Sequence, residues 1–166
     1  VGAPPVPDTL HLTGRGSWSA AASRQVVDMC ANVMQYAYDK GRPSAMSAFE
    51  APGGAYLAFA RRYPGHCIAM CESGISVNRN PELAAISAKA RRVLERAAEE
   101  LSQHIPPEKR PPPAMFSAHV WAMSHGVVEL FARNSPGTQS PFSPEDLLET
   151  GIGVYLRGLG LIPPDN

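Results

Sequence analysis

Apolar positions recur every three or four residues over five long stretches of the chain, and polar or proline-rich segments separate them. From about Ser19, the residues Val26, Met29, Cys30, Val33 and Ala37 share one face. That spacing predicts an amphipathic helix ending near Gly41-Arg42-Pro43. A second helix is predicted from about Ser44 to Tyr63. Its Ala51-Pro52-Gly53-Gly54 interior predicts a kink or a break there, because proline removes a backbone donor and glycine costs about 1 kcal/mol against alanine. Pro64-Gly65 then resets the chain, a short helix is expected from His66 to Cys71, and residues 72–80 read as a polar connection.

The strongest helix start is Asn80-Pro81-Glu82, which offers a capping side chain, a first-turn proline and an acid that complements the helix dipole. Leu83, Ile86, Ala90, Val93, Leu94, Ala97 and Leu101 follow on one face. Lys89, Arg92, Glu95, Arg96, Glu99 and Glu100 occupy the other, which reads as a solvated face laced with ion pairs. Ile105 to Pro113 contains five prolines and must be a loop. The last helix begins at Ser143-Pro144-Glu145-Asp146, with Leu147, Leu148, Ile152, Tyr155 and Leu159 along one stripe. Glycines at 151, 153, 158 and 160 weaken it and would permit close backbone approach.

The helix between them, about Ala114 to Arg133, is different in kind. At 100° per residue, Phe116, Val120, Met123, Val127, Leu130 and Phe131 gather on one side, and Ala118, Trp121, Ala122 and His125 gather on roughly the opposite side. Glu129 is its one formal charge before Arg133. A helix apolar nearly all round is buried on two faces, and in a domain this small the second face most simply meets another subunit. The whole predicts an all-α fold of five main helices and one short one.

Composition narrows the function classes. The 166 residues are enough for one domain with a sizeable core. Fifteen basic residues balance fifteen acidic ones, so the segment has no general electrostatic reason to bind nucleic acid or a membrane surface. No apolar run approaches the roughly 20 residues that span a bilayer, and the start of the chain has no secretory pattern. Cys30, Cys67 and Cys71 are an odd, sparse set that suits a reducing cytoplasm.

Several motifs in order carry a resemblance. Trp121-Ala122-Met123-Ser124-His125-Gly126 resembles the Trp…His-Gly signature in the penultimate helix of a subgroup of TetR-family regulators, and Ala55 to Pro64 (AYLAFARRYP) resembles the stretch that leads into that subgroup's short helix. The Asn80-Pro81-Glu82-Leu83 start and the last two helices fall in the matching order, over about residues 22–162. The resemblance implies a homodimer in which the last two helices of each subunit form a four-helix bundle. It also implies a small-molecule effector held among the other helices and a transcriptional role, most simply repression. Such proteins contact operator DNA through a helix-turn-helix head. Here Val1 to Arg15 only faintly echoes the end of one, and Pro4, Pro5 and Pro7 are incompatible with a normal recognition helix. Residues 1–18 are therefore expected to be an irregular arm and 19–162 the ligand-binding and dimerisation domain, which by itself should not bind an operator. The rival reading is a stand-alone helical ligand-binding or protein-interaction module.

On this reading the effector would be lined by Met29, Met34, Phe59, Tyr63, His66, Met70, Trp121 and His125. Methionines adapt to apolar ligands, and a few polar groups orient them. Each of these residues is equally at home in an ordinary core. The subunit contact would use Ala118, Ala122 and Gly126 with Leu148, Ile152 and Tyr155. No cofactor, metal or catalytic group is expected. His66, Cys67 and Cys71 lack the fourth ligand that structural zinc requires unless Cys30 approaches in space, so the cysteines read as buried structural residues. Ser124 and His125 are neighbours that point about 100° apart on a helix and make no nucleophile–base pair.

Overall fold

The computed structural model describes residues 20–64, 81–132 and 141–163. The expected arm, and the short helix with His66, Cys67, Met70 and Cys71, lie outside the described residues. Five long helices follow one another: α1 (Ala20–Gly41), α2 (Ala45–Arg62), α3 (Pro81–Ser102), α4 (Pro113–Ala132) and α5 (Pro144–Gly158). Among the described residues there is no strand. Each boundary falls within a residue or two of the position that caps and periodicity predict.

Their ends show why. Ser44 accepts the Ser47 backbone N–H at 3.2 Å and starts α2. Ser143 and Asp146 form a reciprocal capping box at the start of α5, with the Asp146 N–H to Ser143 Oγ at 3.0 Å and the Ser143 N–H to Asp146 Oδ2 at 3.4 Å. Pro113 opens α4, where its missing N–H costs nothing. Ser143→Ala is expected to cost about 1 kcal/mol, read as a lower urea midpoint with an unchanged slope.

α1 packs against both α2 and α3, and α4 rests on α2, α3 and α5. One core joins all five helices: Val26, Met34 and Tyr38 from α1, Phe49 and Tyr56 from α2, Val93 and Leu101 from α3, Phe116 and Val120 from α4, and Leu156 from α5. Burying each such large side chain contributes about 1.5–3 kcal/mol. Tyr38 spans the α1–α3 seam. Its hydroxyl donates to Glu100 Oε1 at 2.5 Å, and the Arg96 guanidinium lies 5.1 Å from its ring centre. Burial, then the hydrogen bond and charge of Glu100, raise its pKa above the ordinary tyrosine value.

Two expectations change. α2 runs unbroken through Pro52-Gly53-Gly54. Ala48, Phe49, Pro52, Gly53 and Tyr56 are all buried on its inward side, so tertiary packing outweighs weak local propensity. At Gly53 a Cβ would make ordinary van der Waals contact, 3.6 Å from Leu148 Cδ2 and 3.7 Å from Ser124 Oγ. At Gly158 a Cβ would meet nothing within 4 Å, so within the single chain that glycine of α5 makes no close approach.

The charged face of α3 is the second change. Its partners are largely on α1 rather than one turn away: Lys89 pairs with Asp28 at 3.0 Å and bonds Asn32 at 2.6 Å, Glu82 pairs with Arg24, and Arg96 bonds Gln35. Arg91–Glu95, at 3.4 Å, is an i,i+4 pair of the expected kind. These pairs are exposed enough that each contributes at most about 1 kcal/mol, so they set the register of α3 on α1 more than its stability.

Candidate functional site

α4 divides sharply into two faces. Phe116, Val120, Val127 and Val128 are buried against the core, with Ser117 and Ser124 beside them. On the other side Met115, Ala118, Ala122, Gly126 and Leu130 follow at helical spacing, and all are exposed. Met115 is 51% and Leu130 73% exposed, so this stripe is uncovered within the single chain. Its middle is small: a Cβ added at Gly126 would meet nothing within 4 Å. A bulky–small–small–small–bulky stripe lets a second helix approach closely at its centre while larger side chains close the ends. Val154 of α5 is also outward-facing, at 62% exposed.

The placement corrects three assignments. Leu130 belongs to the outward stripe and not to the core side of α4, because its position on the helix falls outside the buried arc. Leu148 and Ile152 turn inward to the chain's own core, away from any outward face. α5 lies across α4 and α2 on the stripe that carries them, which leaves Thr150, Val154 and Gly158 facing out. Tyr155 is half-buried, its ring 5.7 Å from Phe116 and its hydroxyl 2.8 Å from His119 Nδ1. Burial raises the Tyr155 pKa above the ordinary tyrosine range.

Trp121 and His125, one turn apart, do meet: their rings stack at 5.6 Å with 10° between planes. Tyr56 of α2 completes the cluster, its ring 5.2 Å from Trp121 and its hydroxyl 2.9 Å from His125 Nδ1. Sequence reasoning passed over Tyr56, because its burial, and so its need for a hydroxyl partner, shows only in the fold. The remaining expected lining residues are dispersed. Met34 and Phe59 are closed into the core, Met29 and Tyr63 pack half-buried at its edge, and His66 and Met70 lie outside the described residues. Met34 has the Cys30 thiol 4.0 Å away and belongs to packing.

The surface clefts among the described residues include three that are lined by none of the residues expected for the effector. One lies between α1 and α3 beside Arg24 and Glu82, and a second, polar one lies along Lys89 and Arg96. The third, of about 550 Å³, lies between α2 and α5. Leu57, Leu148 and Ile152 form its apolar wall, and Glu50 and Glu149 line it from the two helices. Glu50 is an exposed residue, yet partial burial of its carboxyl, and then the like charge of Glu149, raise its pKa above the usual carboxylate value. Among the described residues no group of three or more His, Cys, Asp or Glu side chains is placed to hold a metal ion. None of the described helices is long and apolar enough to cross a membrane.

A family model described as "Tetracyclin repressor-like, C-terminal domain" matches residues 49–155, well over half of the 166 residues. The match runs from Phe49 in α2 through α3 and α4 to Tyr155 in α5, and so takes in the aromatic cluster and the outward stripe of α4. Comparison with curated proteins and with solved structures returned no match.

Proposed function

The chain belongs to the tetracycline repressor-like C-terminal domain family, and on that premise we propose that it is the effector-binding and dimerising domain of a cytoplasmic transcription regulator, most simply a repressor. The uncovered apolar stripe Met115-Ala118-Ala122-Gly126-Leu130 carries the reading. A stripe of this kind costs free energy in water at every exposed apolar atom, and a second copy of the same helix removes it by an isologous contact. α5 then flanks the contact with Val154, which gives four helices at the dimer centre. DNA contact would be made by a helix-turn-helix segment outside these residues, since fifteen charges of each sign leave this chain without the net positive charge that draws a protein to nucleic acid.

Effector binding in this reading acts on the tilt of α4 and α5. The aromatic cluster ties α2 to α4 through the Tyr56–His125 hydrogen bond, so a ligand that displaces α2 has a direct mechanical link to the dimer helix. Light scattering on the eluting protein tests the dimer. The reading predicts a particle of twice the 17.8 kDa chain mass, and a particle of one chain mass at all concentrations would remove its basis.

A further inference from the structure

The α2–α5 cleft is distinct from the aromatic cluster and from the outward face of α4. Its volume of about 550 Å³ falls within the roughly 300–1,000 Å³ of small-molecule sites. Its chemistry is divided. Leu57, Leu148 and Ile152 offer a hydrocarbon wall, and Glu50 and Glu149 offer two carboxylates. Glu145, at the mouth, is already neutralised by Arg61 at 2.6 Å. Arg157 also lines the cleft, and its guanidinium reaches back toward Glu149: a Cβ at Gly153, one helical turn from Glu149, would lie 3.6 Å from Arg157 Nη1. Glu50 and Glu149 form a like-charge pair beside an apolar surface, and neither is in an ion pair among the described residues.

We propose that this cleft binds an organic cation with an apolar body, its ammonium group between Glu50 and Glu149 and its hydrocarbon or aromatic part on Leu57, Leu148 and Ile152. An ammonium there relieves the repulsion between the two carboxylates and donates hydrogen bonds to both. An inorganic divalent ion is a poor occupant, because it demands six or more oxygen ligands and gains nothing from an apolar wall. Neutral ligands would bury the hydrocarbon but leave the acid pair uncompensated. Anionic ones would add to the repulsion. The inference rests on the sensor reading only in taking a small molecule as the occupant.

Three probes with one carbon skeleton separate these cases: 4-phenylbutylamine, 4-phenylbutan-1-ol and 4-phenylbutyrate, titrated calorimetrically into the whole chain. The amine is expected to bind once per chain and at least about tenfold more tightly than the alcohol, with no heat from the carboxylate. Glu50→Gln and Glu149→Gln should each weaken the amine by about tenfold. Gly54→Leu should abolish binding with helix content intact, because Gly54 lines the cleft, a Cβ there meets open space, and leucine is the better helix former. Equal affinity for amine and alcohol, amine binding that survives Gly54→Leu, or no amine binding up to about 10 mM would each overturn the proposal. Particle mass on the same samples keeps the two readings apart: a dimer that fails to bind the amine counts against the cleft alone, and a monomer that binds it counts against the dimer alone.

Discussion

Ala122→Glu is expected to convert the protein from dimer to monomer at micromolar concentration while leaving its helix content unchanged. Ala122 sits at the middle of the outward stripe of α4 and is exposed within the single chain. Within one chain, glutamate there is an ordinary surface residue on a helix, with an effect of about 0.5 kcal/mol or less. In the contact it is different. Two carboxylates, one from each copy, would be buried near a two-fold axis with no cation in the stripe to pair them, at a cost of several kcal/mol. About 3 kcal/mol already weakens association roughly a hundredfold. Sedimentation velocity reads this directly. Ala58→Glu, at an exposed position on α2, serves as the control and should remain dimeric. An Ala122→Glu protein that sediments as the parent does would place the subunit contact elsewhere.

Gly41→Ala is expected to lower the melting temperature by about 4–8 °C, from a loss of roughly 2 kcal/mol. Gly41 ends α1 where the chain turns into α2. A Cβ there would lie 2.5 Å from the Ala48 nitrogen and 2.6 Å from both Ala48 Cα and the Ser47 carbonyl carbon. Those are backbone atoms of α2, so no side-chain rotation relieves the overlap and the two helices must separate. The gain in helix propensity, at most about 1 kcal/mol, does not offset that. Conformation is not the issue, since Gly160 is the one glycine with a positive φ among the described residues. A differential scanning measurement that finds Gly41→Ala at least as stable as the parent would mean the α1–α2 corner is looser than the structure shows. The same scan on Gly54→Ala is the contrast, because Gly54 has open space around it.

These two sites show what the sequence discloses and what it withholds. Helix starts at Pro81 and Pro144 were legible because capping and first-turn proline act within four residues and need no tertiary partner, whereas Pro113, read as the end of a loop, opens α4. The two faces of α4 were legible because a helix apolar on both sides has few alternatives. Pro52-Gly53-Gly54 misled for the opposite reason: local breaker signals say nothing of the inward packing that holds Pro52 and Gly53 inside a helix. Leu148 and Ile152 were assigned to a subunit contact from their shared stripe and the family resemblance, and a stripe does not fix the neighbour it meets. The candidate site fared unevenly. Trp121 and His125 stack as their one-turn spacing allows. The cleft of Glu50 and Glu149 is invisible in sequence, because residues 99 positions apart come together only where α2 and α5 cross.

The central claim is that the outward stripe of α4 is covered by a second copy of the chain. Hydroxyl-radical footprinting tests it on the native protein without mutation. Met115 is 51% exposed in the single chain, Met34 is 1% exposed in the core, and Tyr36 is 58% exposed on α1, away from the stripe. Met115 is expected to oxidise at a rate near that of Met34 while Tyr36 reacts freely. Rapid oxidation of Met115, well ahead of Met34, would show that the stripe faces water and would contradict that claim.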